Sequence, residues 1–166
     1  MKLLYAVAAL AALAAPLAAQ EHDHAHRTTA RADSDSAYAA LQARGMDVMG
    51  VDQFTSRHVF EDQTDGGRIE LQRTVDDSAG VETIRHHLHA IAEAFARGDF
   101  SAPVLVHLQK VPGTDVMAAR REAIRYDVRP LPRGAELTIT TTDPDAIAAV
   151  HAFLAFQRGE HRAGAP

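Results

Sequence analysis

The stretch from Phe54 to Phe95, FTSRHVFEDQTDGGRIELQRTVDDSAGVETIRHHLHAIAEAF, sets the fold. From Phe54 to Phe60 apolar residues alternate, with Phe54, His58 and Phe60 on one face and Thr55, Arg57 and Glu61 on the other, which is the period of a strand. Thr64-Asp65-Gly66-Gly67 supplies turn chemistry, and Ile69, Leu71 and Val75 resume the alternation as a returning strand. Asp76, Asp77 and Ser78 offer a helix cap. Val81, Ile84, Leu88, Ile91 and Phe95 then recur at spacings of three and four until Gly98 stops the helix.

The same order returns downstream. Ile124, Tyr126 and Val128 alternate, Pro130 to Gly134 turn the chain, Leu137 and Ile139 alternate again, and Asp143-Pro144 opens a helix. Ala146, Ile147, Val150, Phe153, Leu154 and Gln157 share one broad face of that helix. Superposing Arg97-Gly98-Asp99 on Arg158-Gly159-Glu160 also aligns Phe95 with Phe156 and, after a short gap near Ser78 to Gly80, places Gly67 beside Gly134. The expectation is an α+β domain of two ββα repeats, merged into a four-stranded antiparallel sheet with two helices on one face. Between the units, Val104, Val106 and Leu108 alternate, Pro112-Gly113 punctuates, and a short helix follows from about Thr114 to Glu122.

The N-terminus reads differently. Of the first 19 residues, all but Lys2 and Pro16 belong to the apolar set. A positive start, an apolar run and the small residues Ala18 and Ala19 predict a secretory signal peptide cut after Ala19, and a periplasmic or secreted destination. Residues 20–45 are predicted to be a flexible leader with a helical patch over Ser36 to Ala43, the domain to span 46–162, and 163–166 to be a tail. Cleavage would remove Lys2 and move the formal charge from −5 to −6, so a basic nucleic-acid footprint is absent. No later stretch is apolar for long enough to span a membrane. The chain has no cysteine, which excludes disulfides, thiolate metal sites and cysteine nucleophiles. Glycine-rich phosphate loops, the Gly-x-Ser-x-Gly elbow and the His-Glu-x-x-His zinc helix are likewise missing.

What the chain does have is ten histidines, all outside the predicted signal peptide. On the first long helix Glu82, His86, His89 and Glu93 form an outward stripe that could grip a surface ion. His87 falls between Ile84 and Ile91 and borders the buried side, and His58 shares the inner strand face with Phe60. His107 in the connector and Met117 ten residues later add an imidazole and a thioether, a set suited to copper, with zinc as the other candidate, or to an axial His–Met haem. The expected site is His58, His87, His107 and Met117. His22, His24 and His26 of the leader, with His86 and His89, form a secondary tract. A mature Gln20-Glu21-His22 terminus would place an imidazole third from a free amine. His151 and an outward-facing Phe156 are candidates for a ligand rim or a homodimer contact; His161 continues the Val150, Leu154, Gln157 row, so either histidine could complete a site or cap and pack the helix end, and for His161 the favoured reading is a cation complementing the helix C-terminus. Small organic-ligand binding and a protein-interaction role are the alternatives. An enzyme using His58 or His87 as general base near Asp52, Asp62 or Glu61 is a third.

The stretches Met49-Gly50-Val51-Asp52-Gln53, Gly98-Asp99-Phe100-Ser101-Ala102-Pro103, Pro112-Gly113 through Met117, and His151-Ala152-Phe153-Leu154-Ala155-Phe156-Gln157 through Glu160-His161 resemble a group of short exported bacterial proteins, over about Met46 to Gly164. Some of these carry an aspartate carbamoyltransferase label. The resemblance implies a small exported domain and brings no catalytic residues with it. Thr55-Ser56-Arg57-His58 is only loosely similar to the Ser-Thr-Arg-Thr carbamoyl-phosphate motif. That motif opens a helix in a chain of about two domains, whereas here the residues alternate as a strand.

Overall fold

The computed structural model describes residues 18–163, with side chains from residue 31 onward. The predicted signal peptide and the tail beyond 163 lie outside the described residues, apart from Ala18 and Ala19. Chain order is α1 (Ala18–Met49), β1 (Ser56–Gln63), β2 (Gly66–Arg73), α2 (Ser78–Ala96), α3 (Ser101–His107), α4 (Thr114–Ala119), β3 (Ile124–Leu131), β4 (Gly134–Thr141) and α5 (Pro144–Glu160). The strands form one antiparallel sheet in the order β1-β2-β4-β3, so the fold is α+β.

Local chemistry accounts for the boundaries. The Asp77 carboxylate accepts from Gly80 N–H and starts α2, and Asp143 accepts from Asp145 and Ala146 N–H with Pro144 in the first turn of α5. Gly98, at φ +80°, ends α2: its own N–H reaches Phe95 O and that of Asp99 reaches Ala94 O. Phe54 precedes the strand rather than joining it. It sits in a 3-10 turn (Gln53–Thr55) capped by Asp52 and is 68% exposed.

The helices α2 and α5 cover the sheet face that carries Phe60, Ile69, Leu71, Leu137 and Ile139. They do so crosswise, α2 lying on β3 and β4 while α5 lies on β1 and β2. Each helix therefore buries its apolar stripe on strands from the other half of the chain, which ties the halves into one packing unit. The opposite sheet face is polar. Arg68 there bonds Glu61, Glu70 and Glu136, and Arg57 adds a second contact to Glu70.

Two segments depart from the sequence expectation. The predicted flexible leader is helical from Ala18, and the compact unit begins at Ser36 rather than at 46. Leu41 and Gln42 are each 4% exposed, so burial of this turn carries the helix well beyond the predicted patch. The connector is also helical, not strand-like. In α3 it is Pro103, Val106 and His107 that face inward while Leu105 and Leu108 are exposed, a spacing of three and four that replaces the alternation. Among the described residues no helix is long and apolar enough to cross a membrane.

Candidate functional histidine cavity

Four imidazoles from four elements line one cavity of about 80 Å³ beneath the sheet's inner face: His58 of β1, His87 of α2, His107 of α3 and His161 at the end of α5. Phe60, Leu71, Leu88, Phe95 and Phe153 supply much of its apolar wall. The rings are neighbours. His58 and His161 stack with centroids 5.0 Å apart, and His107 meets His161 edge to face at 5.2 Å.

Each ring is held by its own local structure. His58 pairs with Leu71 on the ladder and therefore faces inward with Phe60, against which it stacks at 5.8 Å. His107 is the last residue of α3, whose end is fixed by Leu108 in the left-handed region (φ 53°) and by Arg44 Nε donating to Val106 O at 2.6 Å. His161 caps α5. Ala163 N–H returns to Arg158 O, Arg162 takes φ 48° and lies over the Tyr38 ring, and the Tyr38 hydroxyl donates to His161 O. The α1 helix thus braces both histidines that stand at helix C-termini.

Burial decides the protonation of all four. It pushes His58 down to about 4, helped by the nearby His87, and His87 to about 4, helped by His86. His161 falls to about 3, with His58 and His107 adding repulsion. His107 is also lowered by burial, against the opposing pull of Gln157 and Glu160. At neutral pH the cavity is therefore ringed by neutral imidazoles, each with one nitrogen free of a proton. His107 Nε2 lies 3.0 Å from Gln157 Oε1, an arrangement in which the ring donates and Nδ1 keeps its lone pair. Among the described residues, three buried ring nitrogens meet no hydrogen-bond partner: His58 Nε2, His107 Nδ1 and His161 Nδ1. Glu160 Oε2 stands 3.8 Å from His107 Nδ1, on a carboxylate 41% exposed.

The sequence-predicted set is brought together in part. His58, His87 and His107 share the cavity, but Met117 does not line it. Met117 is 0% exposed and packs in the main apolar cluster, because α4 turns its inner face toward α5. Met117→Ala should therefore cost about 2–5 kcal/mol of stability, read from a urea midpoint, and leave ligand stoichiometry at the cavity unchanged.

His161 is the residue whose role the sequence misassigned. Its ring is buried and neutral, so desolvation outweighs the helix dipole that would favour a cation. The signal lay in the row Val150, Leu154, Gln157, His161, which has core spacing throughout. Gln157, 5% exposed, is the other missed member. Phe156 is not an outward aromatic: it is half-buried against the core, with its ring 5.0 Å from His107. His151 bonds Gln63 O at 2.9 Å and anchors α5 to the end of β1.

His86 and His89 are exposed on α2, and Glu82 of their stripe bonds Arg85. The carboxylates considered for general-base chemistry are engaged elsewhere. Asp52 caps the 3-10 turn, Glu61 pairs with Arg68, and Asp62 is held by both terminal nitrogens of Arg158. His22, His24 and His26 fall within α1, but their side chains lie outside the described residues. As the side chains stand, no group of three His, Asp or Glu among the described residues has metal-binding geometry. Compared with protein families, curated proteins and solved structures, the chain matches none of them.

Proposed function

We propose that this chain is an exported, non-catalytic binding protein whose cavity takes up one transition-metal ion through His58, His107 and His161, with His87 at its side. The observation that supports this reading is the trio of buried imidazole nitrogens with no hydrogen-bond partner among the described residues. Leaving such a nitrogen unpaired costs about 1–3 kcal/mol, and a single ion satisfies all three at once. The three rings are also close neighbours, with centroid spacings of 5.0 and 5.2 Å. Gln157 orients His107 from behind as an outer partner. Export rests on the N-terminal signal pattern, and the leader histidines act as a weaker loading tract.

The apolar wall favours one second reading, a small organic molecule seated on imidazole anchors. The test is elemental analysis and metal titration of the full chain carrying His22→Ala, His24→Ala and His26→Ala, beside the same chain with His107→Ala and His161→Phe added. We expect one equivalent in the first and none in the second, with both folded by circular dichroism. Equal stoichiometry in the two would overturn the site.

A further inference from the structure

We infer that two copies of this chain join edge to edge through β3, antiparallel about a two-fold axis at Val128, so that one sheet runs through both. The pairing goes beyond the binding reading above and does not depend on it.

The order β1-β2-β4-β3 leaves two edges, and they are finished differently. On β1 the outward carbonyl of Phe60 accepts from Arg158 Nη1 of α5 at 2.8 Å. The β3 edge has no such cover. Which of its main-chain groups are free follows from the ladder. Thr141 N–H donates to Asp65 O and Arg73 N–H to Arg133 O, so the odd-numbered residues of β4 turn toward β2 and the even-numbered ones toward β3. Arg125, Asp127 and Arg129, which pair with Thr140, Thr138 and Glu136, therefore direct their N–H and C=O groups at β4. Tyr126, Val128 and Pro130 direct theirs outward, while Ile124 N–H is already bound to Arg121 O. An edge of this kind is a template for another strand.

Side chains choose the partner. Arg125, Asp127 and Arg129 project from the polar face and are all exposed. Elsewhere on that face Arg57, Glu61, Arg68, Glu70 and Glu136 are tied to one another. Among the described residues none of the three on β3 has an ion pair or a side-chain hydrogen bond. A run of one sign would repel its own copy, but positive, negative, positive complements itself when reversed.

The register follows from charge and strand length. An axis at Asp127 would set the two Asp127 side chains face to face and Arg125 against the partner's Arg129, which is repulsive twice over. An axis at Tyr126 would confine the overlap to residues 124–128, because the 3-10 turn Arg121–Ala123 precedes them. An axis at Val128 lets residues 125–131 overlap, all of them within β3. Asp127 then meets the partner's Arg129 on both sides of the axis. Val128 N–H donates to the partner's Val128 O and Tyr126 N–H to the partner's Pro130 O, each bond made twice. Pro130 lacks an N–H, but its position bonds outward, so it removes no β4 bond. On the inner face Tyr126 and Val128 are only half-buried under α2, and the pairing covers them with the partner's Pro130 and Val128.

The experiment is sedimentation of the full chain over a concentration series, beside Asp127→Arg, Arg129→Asp, the double variant carrying both, and Arg125→Asp. All three positions are exposed, and circular dichroism checks the fold. We expect a monomer–dimer equilibrium that each of the first two variants weakens at least about tenfold, since each turns two attractive cross-strand pairs into two repulsive ones. The double variant should return to within about threefold of the parent, and Arg125→Asp should stay within about threefold throughout. Amide exchange at Tyr126 and Val128 in the parent should slow as the dimer fills. A chain that stays monomeric, a dimer indifferent to Asp127→Arg, or exchange at Tyr126 and Val128 that ignores concentration would each overturn the pairing. Rescue of Asp127→Arg by Arg125→Asp in place of Arg129→Asp would overturn the axis at Val128.

Discussion

The metal-free domain should lose most of its stability as pH falls from 6.5 toward 4, so that its urea midpoint at about pH 4.5 lies far below that at about pH 7.5. The cause is the set of four cavity histidines, His107 and His161 buried and His58 and His87 half-buried. Each has a folded pKa below its ordinary 6.5, so the unfolded chain takes up protons that the native state refuses. Their neutral burial is tolerated at full stability above 6.5, and stability is lost as pH falls below that value. The loss continues down to the folded values near 4 for His58 and His87 and near 3 for His161.

Within that window each ring removes about 1.36 kcal/mol per pH unit. Three rings acting over two units approach the ~5–15 kcal/mol that holds an ordinary domain together. Little in the packing relieves this. Gln157 and Glu160 favour a proton on His107, but Arg44 opposes it, and His86 stands against a proton on His87. A charge on His58 would face the stacked His161 ring at 5.0 Å. Glu70 belongs to a lower window. Burial would raise it, but bonds from Gln72 and Arg57 hold it below 4.5, so its contribution fades only under that pH. His161→Phe should remove one ring's share of the slope while keeping the fold at neutral pH. An unchanged midpoint across the whole range would show that the four rings are not neutral in the native state.

Much of this arrangement was legible in the sequence because period and capping act locally. The alternation around His58 and Phe60 could be satisfied only by a strand, and the 3–4 spacing from Val81 to Phe95 only by a helix, with Asp77, Asp143 and Gly98 marking the ends. What could not be read locally was set by tertiary contact. Val104, Val106 and Leu108 fit either period in so short a run, and it was burial of Pro103, Val106 and His107 that selected the helix. His161 followed two rules in conflict, a core row and a cationic helix end, and only the packing of His58 and His107 against it shows which governs. Met117 went the other way. A thioether near histidines in sequence looks like a ligand, but α4 carries it into the core. The crosswise seating of α2 and α5 has no local signal at all, since it depends on which strand lies beside which.

That crosswise seating places heavy demand on the β2–β4 joint, and Gly134→Ala should collapse it. A Cβ on Gly134 would stand 1.9 Å from Leu71 O, 2.9 Å from Leu71 C and 3.0 Å from Gln72 Cα. These are backbone atoms of the adjoining central strand, so no side-chain rotation can make room. Gly134 O also accepts from Arg85 Nε at 3.1 Å, and Arg85 reaches Leu131 O as well, so the α2 helix is clipped to the same turn. Forcing β2 and β4 apart would strip ladder bonds and open the apolar cluster of Leu71, Ile84, Leu88 and Ala135. The expected cost is at least about 3 kcal/mol, enough to leave much of the chain unfolded at ambient temperature.

The matched control is Gly159→Ala in the last turn of α5, where a Cβ meets nothing within 4 Å. There the substitution should be neutral or stabilising by up to about 1 kcal/mol, because alanine gives up less backbone freedom on folding than glycine. The same chemical change should thus have opposite consequences at two glycines. Urea denaturation of both variants decides the matter. If Gly134→Ala were as stable as the parent, β2 and β4 could not be hydrogen-bonded neighbours in this register. His58, paired to Leu71, would then lose the backbone frame that aims it at His161.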